Sequence, residues 1–251
     1  MGRWIHGRGF VASTDGNISL RLDPHRILTS PTGISKGMMS PEDLVVTDLE
    51  GNKVNGRRNP SSELAMHLLI YRRRPDVNAV CHAHPPVATG YASAGLALNK
   101  AILAELVLSL GCIPVARYGT PGTPELTNAI EPLVQNYDAI LMANHGVVTY
   151  GADLLSAFFR METTEHFALV ALVTELLGKQ VLLSGGDVEK LLAARARYGG
   201  QSAAATTAEC PVTSDAAGEE RITLTRRELE TLIDEAIQKE RSRLQRFCNI
   251  D

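Results

Sequence analysis

The hydrophobic and polar positions of the chain follow two periods, one typical of strands and one typical of helices. Five short runs rich in β-branched and aliphatic residues predict strands, and they read GNISLRL, RILTS, DLVVTD, NAVCHAH and AILMAN. Residues 61 to 73 follow Pro60 and stop before Pro75, which predicts a helix with a defined start and end. Residues 153 to 177 are apolar on nearly every side, which predicts a long buried helix.

Turn-length segments separate two pairs of these strands, D-P-H at residues 23 to 25 and E-G-N at residues 50 to 52. Turns that short join antiparallel neighbours. The glycine-rich motifs G-x-G-x-x-G and G-x-x-x-x-G-K-[ST] do not occur, which argues against a nucleotide-binding loop. We therefore predict an α/β fold in which helices cover a mixed, mainly antiparallel sheet.

Composition narrows the class of protein. The chain has 251 residues, of which 44% are hydrophobic and 21% charged, as in a soluble globular protein with a sizeable core. Its net charge of -3 offers no basic field for nucleic acid. There is no apolar run of transmembrane length and no signal-peptide core. Four widely spaced cysteines predict reduced thiols in a cytoplasmic protein, and they are Cys81, Cys112, Cys210 and Cys248.

The composition changes near Tyr198. Residues 199 to 221 contain no aromatic residue and one large aliphatic residue, Val212, so they bury too little apolar surface to order themselves. We predict one globular domain over residues 1 to 198, a flexible linker over 199 to 221, and a short amphipathic element over 222 to 251.

Three histidines lie at the ends of predicted strands. His82 and His84 point to one face of their strand, because side chains alternate, and Cys81 points to the other. His145 ends the AILMAN run and precedes Gly146, which we expect to let the chain turn sharply. Three imidazoles with an open fourth position are typical of a catalytic zinc site. Unrelated surface or packed histidines are the alternative.

Glu63 falls in the first turn of the helix predicted over residues 61 to 73. There the helix dipole favours a carboxylate, so a simple helix-start acid is one interpretation, and a group belonging to the metal site is the other. His67 lies four residues further and shares that helix face. We expect His67 to support the site or to pack, rather than to bind metal.

Three short segments rich in glycine, serine and threonine accompany these residues, at positions 16 to 19, 31 to 33 and 61 to 62. Each alone is most simply a turn or a helix cap. Together they offer backbone N–H groups, hydroxyls and a helix N-terminus, which can hold a phosphate group.

In this order and at these spacings, GNIS, PTGI, PSSE, the H-x-H strand and NHG resemble the class II aldolase/adducin family over residues 7 to 198. The resemblance implies a three-layer α/β/α fold and a homotetramer with four-fold symmetry. It implies one zinc ion per subunit, Glu63 as the acid/base carboxylate, and a second family tyrosine matched by Tyr198. The implied zinc ligands are His82, His84 and His145, and the implied phosphate-binding residues are Asn17, Thr32, Gly33, Ser61 and Ser62.

The activity implied is zinc-dependent cleavage of a ketose 1-phosphate, such as L-fuculose 1-phosphate, to dihydroxyacetone phosphate and an aldehyde such as lactaldehyde. One family tyrosine has no counterpart in the stretch KAILAELVL, where Leu103 stands near its position. Alternatives on the same fold are a pentulose-phosphate epimerase, whose members have an aspartate in place of Glu63, a decarboxylase, a methylthioribulose-phosphate dehydratase, and an adducin-like module without activity.

The tail carries its own pattern. Thr225 and Glu228 form a capping box, and Leu229, Leu232 and Ile233 begin an apolar stripe at helical spacing. An isolated helix of this length is marginal in water, so the stripe needs a partner. The pattern resembles the encapsulation peptides that bind cargo enzymes to microcompartment shells, which implies shell proteins as partners of residues 222 to 251 and the shell lumen as a location. The enzyme's own surface, or the same helix of another subunit, are the alternatives.

Overall fold

The computed structural model describes residues 1–195, and the predictions for Tyr198, for the linker over 199 to 221 and for residues 222 to 251 lie outside the described residues. Within that range, eight strands form one sheet in the order β4-β3-β2-β1-β5-β8-β7-β6. The strands are β1 (Asn17–Asp23), β2 (Arg26–Thr29), β3 (Val45–Thr47), β4 (Lys53–Asn55), β5 (Ala79–Ala83), β6 (Val115–Ala116), β7 (Ala139–Met142) and β8 (Gly146–Gly151).

Neighbouring strands are antiparallel except for β6 and β7, which are parallel. The short segments at residues 23 to 25 and 50 to 52 join β1 to β2 and β3 to β4, as their length predicts. The prediction of a mixed, mainly antiparallel sheet is confirmed.

Helices cover both faces of the sheet. They are α1 (Gly2–Gly7), α2 (Leu64–Arg73), α3 (Pro86–Ala94), α4 (Ala104–Ser109), α5 (Pro124–Val134), α6 (Leu154–Leu176) and α7 (Gly185–Ala194). Side chains alternate along β5, so Cys81 and Ala83 belong to the core formed with α1, α3, α4 and α6, and Val80 belongs to the core formed with α2 and α5. The result is the three-layer α/β/α arrangement that the family resemblance implies.

The two predicted helices differ from expectation in detail. α2 begins at Leu64 rather than at residue 61, because the preceding residues form a turn in which the Leu64 N–H donates to the Ser61 carbonyl at 3.1 Å. α6 is not buried on all sides. One face packs on the sheet, but Phe159 and Leu176 lie away from that face and are 54% and 78% exposed, since nothing in the described part of the chain covers them.

The cysteine prediction is only partly right. Cys81 is a free, buried thiol, and burial raises its pKa to about 12. Cys112 is disulfide-bonded, so the prediction of reduced thiols throughout is wrong at this position. Within residues 1–195, no helix has both the length and the apolar character needed to span a bilayer.

Candidate metal centre

Strand pairing brings the three predicted histidines together. His82 lies on β5 opposite Val148 of β8, and His84 follows the end of β5. His145 lies in the turn between β7 and β8, where its N–H donates to the Met142 carbonyl at 3.0 Å. The three ring centroids are 4.8 to 5.2 Å apart, and each residue offers a ring nitrogen within 4.8 Å of the other two. The predicted convergence of the three histidines is confirmed.

The turn before β8 is made by a different residue from the one expected. Asn144 adopts the left-handed conformation, with φ of 55°, whereas the φ of Gly146 is not positive. Gly146 serves instead to leave space, because a Cβ there would lie 2.5 Å from Cδ2 of His84 and 2.7 Å from the carbonyl oxygen of Ala83. The small residue is required by the histidines that pack over it, and not by the turn.

Hydrogen bonding assigns the tautomer of His82. Its Nδ1 lies 2.9 Å from the carbonyl oxygen of Val147, which only accepts, so the proton is on Nδ1 and the Nε2 lone pair is free. The Nε2 atoms of His82 and His84 are 3.1 Å apart. Tetrahedral zinc with bonds of about 2.0–2.1 Å would separate two ligand nitrogens by about 3.3 Å. The spacing of these two nitrogens therefore fits a metal ion bound between them.

Two further observations agree with that fit. Burial, together with the neighbouring rings of His82 and His145, lowers the pKa of His84 to about 4, which keeps its ring neutral and able to bind a metal at neutral pH. Buried Nδ1 of His145 has no hydrogen-bond partner among the described residues. Three imidazoles are the donor set of a catalytic zinc site.

Glu63 directs its carboxylate into this cluster. Its Oε1 lies 3.1 Å from Nε2 of His145, and its Oε2 lies 3.3 Å from Nε2 of His82. Glu63 stands at the N-cap of α2, but its side chain makes no capping bond and contacts the histidines instead, as expected of a group that belongs to the metal site. Burial alone would raise the pKa of Glu63, but the contacts with His145 and His82 outweigh it and hold the pKa well below its usual range.

The three segments considered for phosphate binding lie side by side. A β-bridge between Pro31 and Pro60 joins the segment at residues 31 to 33 to the one at residues 61 to 62. The Ser30 N–H donates to the Ile18 carbonyl, which joins the segment at residues 16 to 19 to them. Three of the five residues that the resemblance implies are exposed, namely Thr32, Gly33 and Ser62.

The other two implied residues are buried and make contacts with Glu63. Asn17 donates from Nδ2 to Oε2 of Glu63 at 2.9 Å, and the Glu63 N–H donates to Oγ of Ser61 at 3.2 Å. Asn17 therefore holds the carboxylate of Glu63 and Ser61 holds its backbone N–H, two roles that the sequence did not indicate.

Two charged residues at the site were not assigned from the sequence. Lys36 is buried, and its ammonium donates to the carbonyls of Thr14 at 2.9 Å and Ile34 at 2.8 Å, which fastens the segments before Asn17 and after Gly33 together. Asp15 lies 3.5 Å from Nδ1 of His84. A lysine or an aspartate in a loop has no pattern that reveals such contacts, because the partners come from other segments.

Comparison with known families agrees with this geometry. Residues 1–172 match the family described as Class II Aldolase and Adducin N-terminal domain. The chain belongs to this family. Class II aldolases are metal-dependent enzymes, which agrees with a group of three histidines able to hold a metal ion.

Individual relatives of this chain carry different names. A 3-oxo-tetronate 4-phosphate decarboxylase of Haemophilus influenzae is 37% identical over 172 residues, 67% of this chain and 81% of that protein. A 5-deoxy-D-ribulose 1-phosphate aldolase of Bacillus thuringiensis serovar kurstaki is 34% identical over 203 residues, 80% of this chain and 94% of that protein. A solved structure of an L-fuculose 1-phosphate aldolase has a TM-score of 0.71 and 32% identity, and the match covers 76% of this chain and 91% of the other.

Proposed function

We propose that this class II aldolase cleaves a ketose 1-phosphate, such as L-fuculose 1-phosphate, to dihydroxyacetone phosphate and an aldehyde such as lactaldehyde. The observation that carries the proposal is the carboxylate of Glu63 lying 3.1 and 3.3 Å from ring nitrogens of His145 and His82. An acid/base group beside a metal-binding set of three imidazoles is what the cleavage of a carbon–carbon bond next to a ketone requires.

In this proposal His82, His84 and His145 hold one zinc ion per subunit. When bound, the metal supplies a Lewis acid that stabilises the negative charge developing on the oxygens of the three-carbon fragment. Glu63 holds and moves the proton at C3 of the sugar phosphate, and Asn17 fixes one carboxylate oxygen while it does so. Only 11% of the Glu63 side chain is exposed, and its lowered pKa keeps the carboxylate ionised, so it can accept a proton.

The substrate phosphate is proposed to bind to the segments that carry Thr32, Gly33 and Ser62. All three residues are exposed, and Gly33 has a φ of +71°, which turns its loop. Ser61 and Asn17 complete the proposed phosphate-binding residues from the buried side. Asn17 donates one of its two amide hydrogens to Glu63, so the other can donate to the phosphate. Tyr198 is proposed to act on the leaving oxygen.

A second candidate reaction is supported by the 37% identical relative, which is named as a decarboxylase. A 3-oxo-tetronate 4-phosphate has its carboxylate two bonds from a ketone, so loss of carbon dioxide leaves charge beside that ketone, as aldol cleavage does. Both reactions release dihydroxyacetone phosphate. Only the other product, an aldehyde or carbon dioxide, distinguishes them.

Two proposals concern assembly. The exposed apolar side chains of α6, which include Phe159 and Leu176, support packing against another copy of the chain, and we propose a homotetramer. The apolar stripe within residues 222 to 251 is proposed to bind microcompartment shell proteins.

The replacement Glu63→Gln tests the catalytic proposal. It keeps the size of the side chain and removes the base, so cleavage should fall by about a hundredfold or more while the metal content stays unchanged. Glu105→Gln is the matched control, because Glu105 is an exposed acid in the first turn of α4. Cleavage by Glu63→Gln at the rate of the control would show that Glu63 is not the base.

A further inference from the structure

A chain of hydrogen bonds leads from Glu63 into the protein interior. Asn17 Nδ2 donates to Glu63 Oε2 at 2.9 Å, and Asn17 Oδ1 lies 2.5 Å from His67 Nε2. Ser19 Oγ lies 2.7 Å from His67 Nδ1 and 2.8 Å from the hydroxyl of Tyr71. The four residues beyond Glu63 are 0 to 3% exposed, so their polar atoms depend on one another and not on water.

Strand β1 and helix α2 supply the residues of this chain of hydrogen bonds, and the side-chain periods of the two elements match. Asn17 and Ser19 are two residues apart on β1 and therefore share a face of the sheet. Glu63, His67 and Tyr71 are spaced by four residues and therefore share one side of α2 and its N-cap. The strand and helix residues alternate along the chain of bonds, so the packing of α2 on β1 builds it.

The direction of every bond is determined by the ionised carboxylate at its end. Glu63 only accepts, so Asn17 turns its NH2 toward Glu63 and its carbonyl oxygen toward His67. His67 must then donate from Nε2, which leaves Nδ1 to accept from the hydroxyl of Ser19. Ser19 in turn accepts from Tyr71. Each donor points toward Glu63, and bonds aligned in this way polarise one another.

The protonation states of His67 and Tyr71 agree with this assignment. Burial, with the nearby ring of His82, lowers the pKa of His67 to about 3, so the ring is neutral and one nitrogen can accept. Burial raises the pKa of Tyr71 above its ordinary value, so its hydroxyl keeps the proton that it donates.

We propose that His67 is a positioning residue that locks the amide of Asn17 in the orientation that donates to Glu63. The inference rests on the proposed function, because it assigns to His67 the task of holding the catalytic carboxylate in place. Without the His67 donor, the Asn17 amide is free to rotate and to present its carbonyl oxygen to Glu63, which repels it. A carboxylate displaced from its place loses rate even when metal and substrate still bind.

Kinetics of His67→Leu and His67→Gln test the proposal. Leucine removes both ring nitrogens, and we expect kcat to fall about 10- to 100-fold with KM changed less than about threefold. Glutamine can place an amide N–H where Nε2 lies, and we expect it to restore kcat to within about threefold of the original protein. His166→Leu on the exposed side of α6 is the control, which should keep full activity.

A purely structural His67 predicts a different result. The melting temperature would fall in His67→Leu while kcat of the folded protein stayed within about twofold of the original, and that result overturns the proposal. It is also overturned if His67→Gln is folded and as slow as His67→Leu. A kcat loss rescued by glutamine, with metal content constant, supports it.

A second measurement does not depend on activity. Nitrogen-15 NMR of the protein with labelled histidine should show one neutral ring at pH 7, absent in His67→Gln, with its proton on Nε2 and not on Nδ1. A proton on Nδ1, or on both nitrogens, overturns the proposal. If the original protein cleaves no ketose phosphate, the proposed function fails while this spectrum still decides the orientation of the chain of bonds.

Discussion

Gly146→Ala should weaken metal binding by introducing a single methyl group. The added Cβ would lie 2.5 Å from Cδ2 of His84, 2.7 Å from the carbonyl oxygen of Ala83 and 3.4 Å from Cε1 of His82. Carbon atoms in ordinary contact are about 3.5–4.0 Å apart, so the ring of His84 must move by about 1 Å. The carbonyl of Ala83 belongs to the sheet and moves less easily than a side chain.

The expected magnitude follows from this displacement. Metal–ligand distances tolerate deviations of about 0.2 Å, so a shift of about 1 Å removes His84 from the ligand set or strains the strand that carries it. Overpacking of this kind costs about 1–3 kcal/mol. If this cost arises only when the histidines take up their metal-binding positions, metal affinity falls by about 5- to 150-fold.

The assay is a competition titration with a zinc chelator, with a thermal melt of the same samples. Gly90→Ala is the control, because Gly90 lies on the exposed side of α3 and a Cβ there meets nothing within 4 Å. It should leave metal affinity unchanged and stabilise the helix by about 0.5–1 kcal/mol. Metal affinity of Gly146→Ala equal to that of the control would refute the argument that Gly146 is required to make room for His84.

Three further predictions concern pH, assembly and the tail. The pKa of His67 in the folded protein is about 3, below the ordinary 6.5, so the stability that neutral His67 contributes is fully present above pH 6.5 and is lost as pH falls toward 3. In urea denaturation of the metal-free protein, the free energy of unfolding should therefore fall less steeply with acid for His67→Gln than for the original protein. Parallel declines would contradict this. Light scattering should give four subunits for the original protein and fewer for Phe159→Asp, whereas a monomeric original protein would contradict the tetramer. A fluorescent protein fused to residues 222 to 251 should localise to co-expressed shells, and diffuse fluorescence like that of a Leu232→Asp, Ile233→Asp fusion would exclude the interaction.

The sequence predicted those parts of the fold and the site that follow from local periods. Alternation placed His82 and His84 on one face, and an apolar run followed by a glycine located His145 at a strand end. β6, with two residues, is too short to give a period, so no alternation indicated the strand or its parallel pairing with β7. The bond between Asn17 and His67 joins residues 50 positions apart, so no local pattern indicates it.

Cleavage of ketose 1-phosphates tests the proposed aldolase activity most directly. The zinc-loaded protein is incubated with fuculose, rhamnulose, ribulose and 5-deoxyribulose 1-phosphates, and in parallel with 3-oxo-tetronate 4-phosphate, and the release of dihydroxyacetone phosphate, aldehyde and carbon dioxide is measured. We expect dihydroxyacetone phosphate together with an aldehyde from at least one ketose 1-phosphate, abolished by the chelator and by Glu63→Gln. Carbon dioxide from the tetronate phosphate, with no aldehyde from any ketose 1-phosphate, would contradict the aldolase assignment.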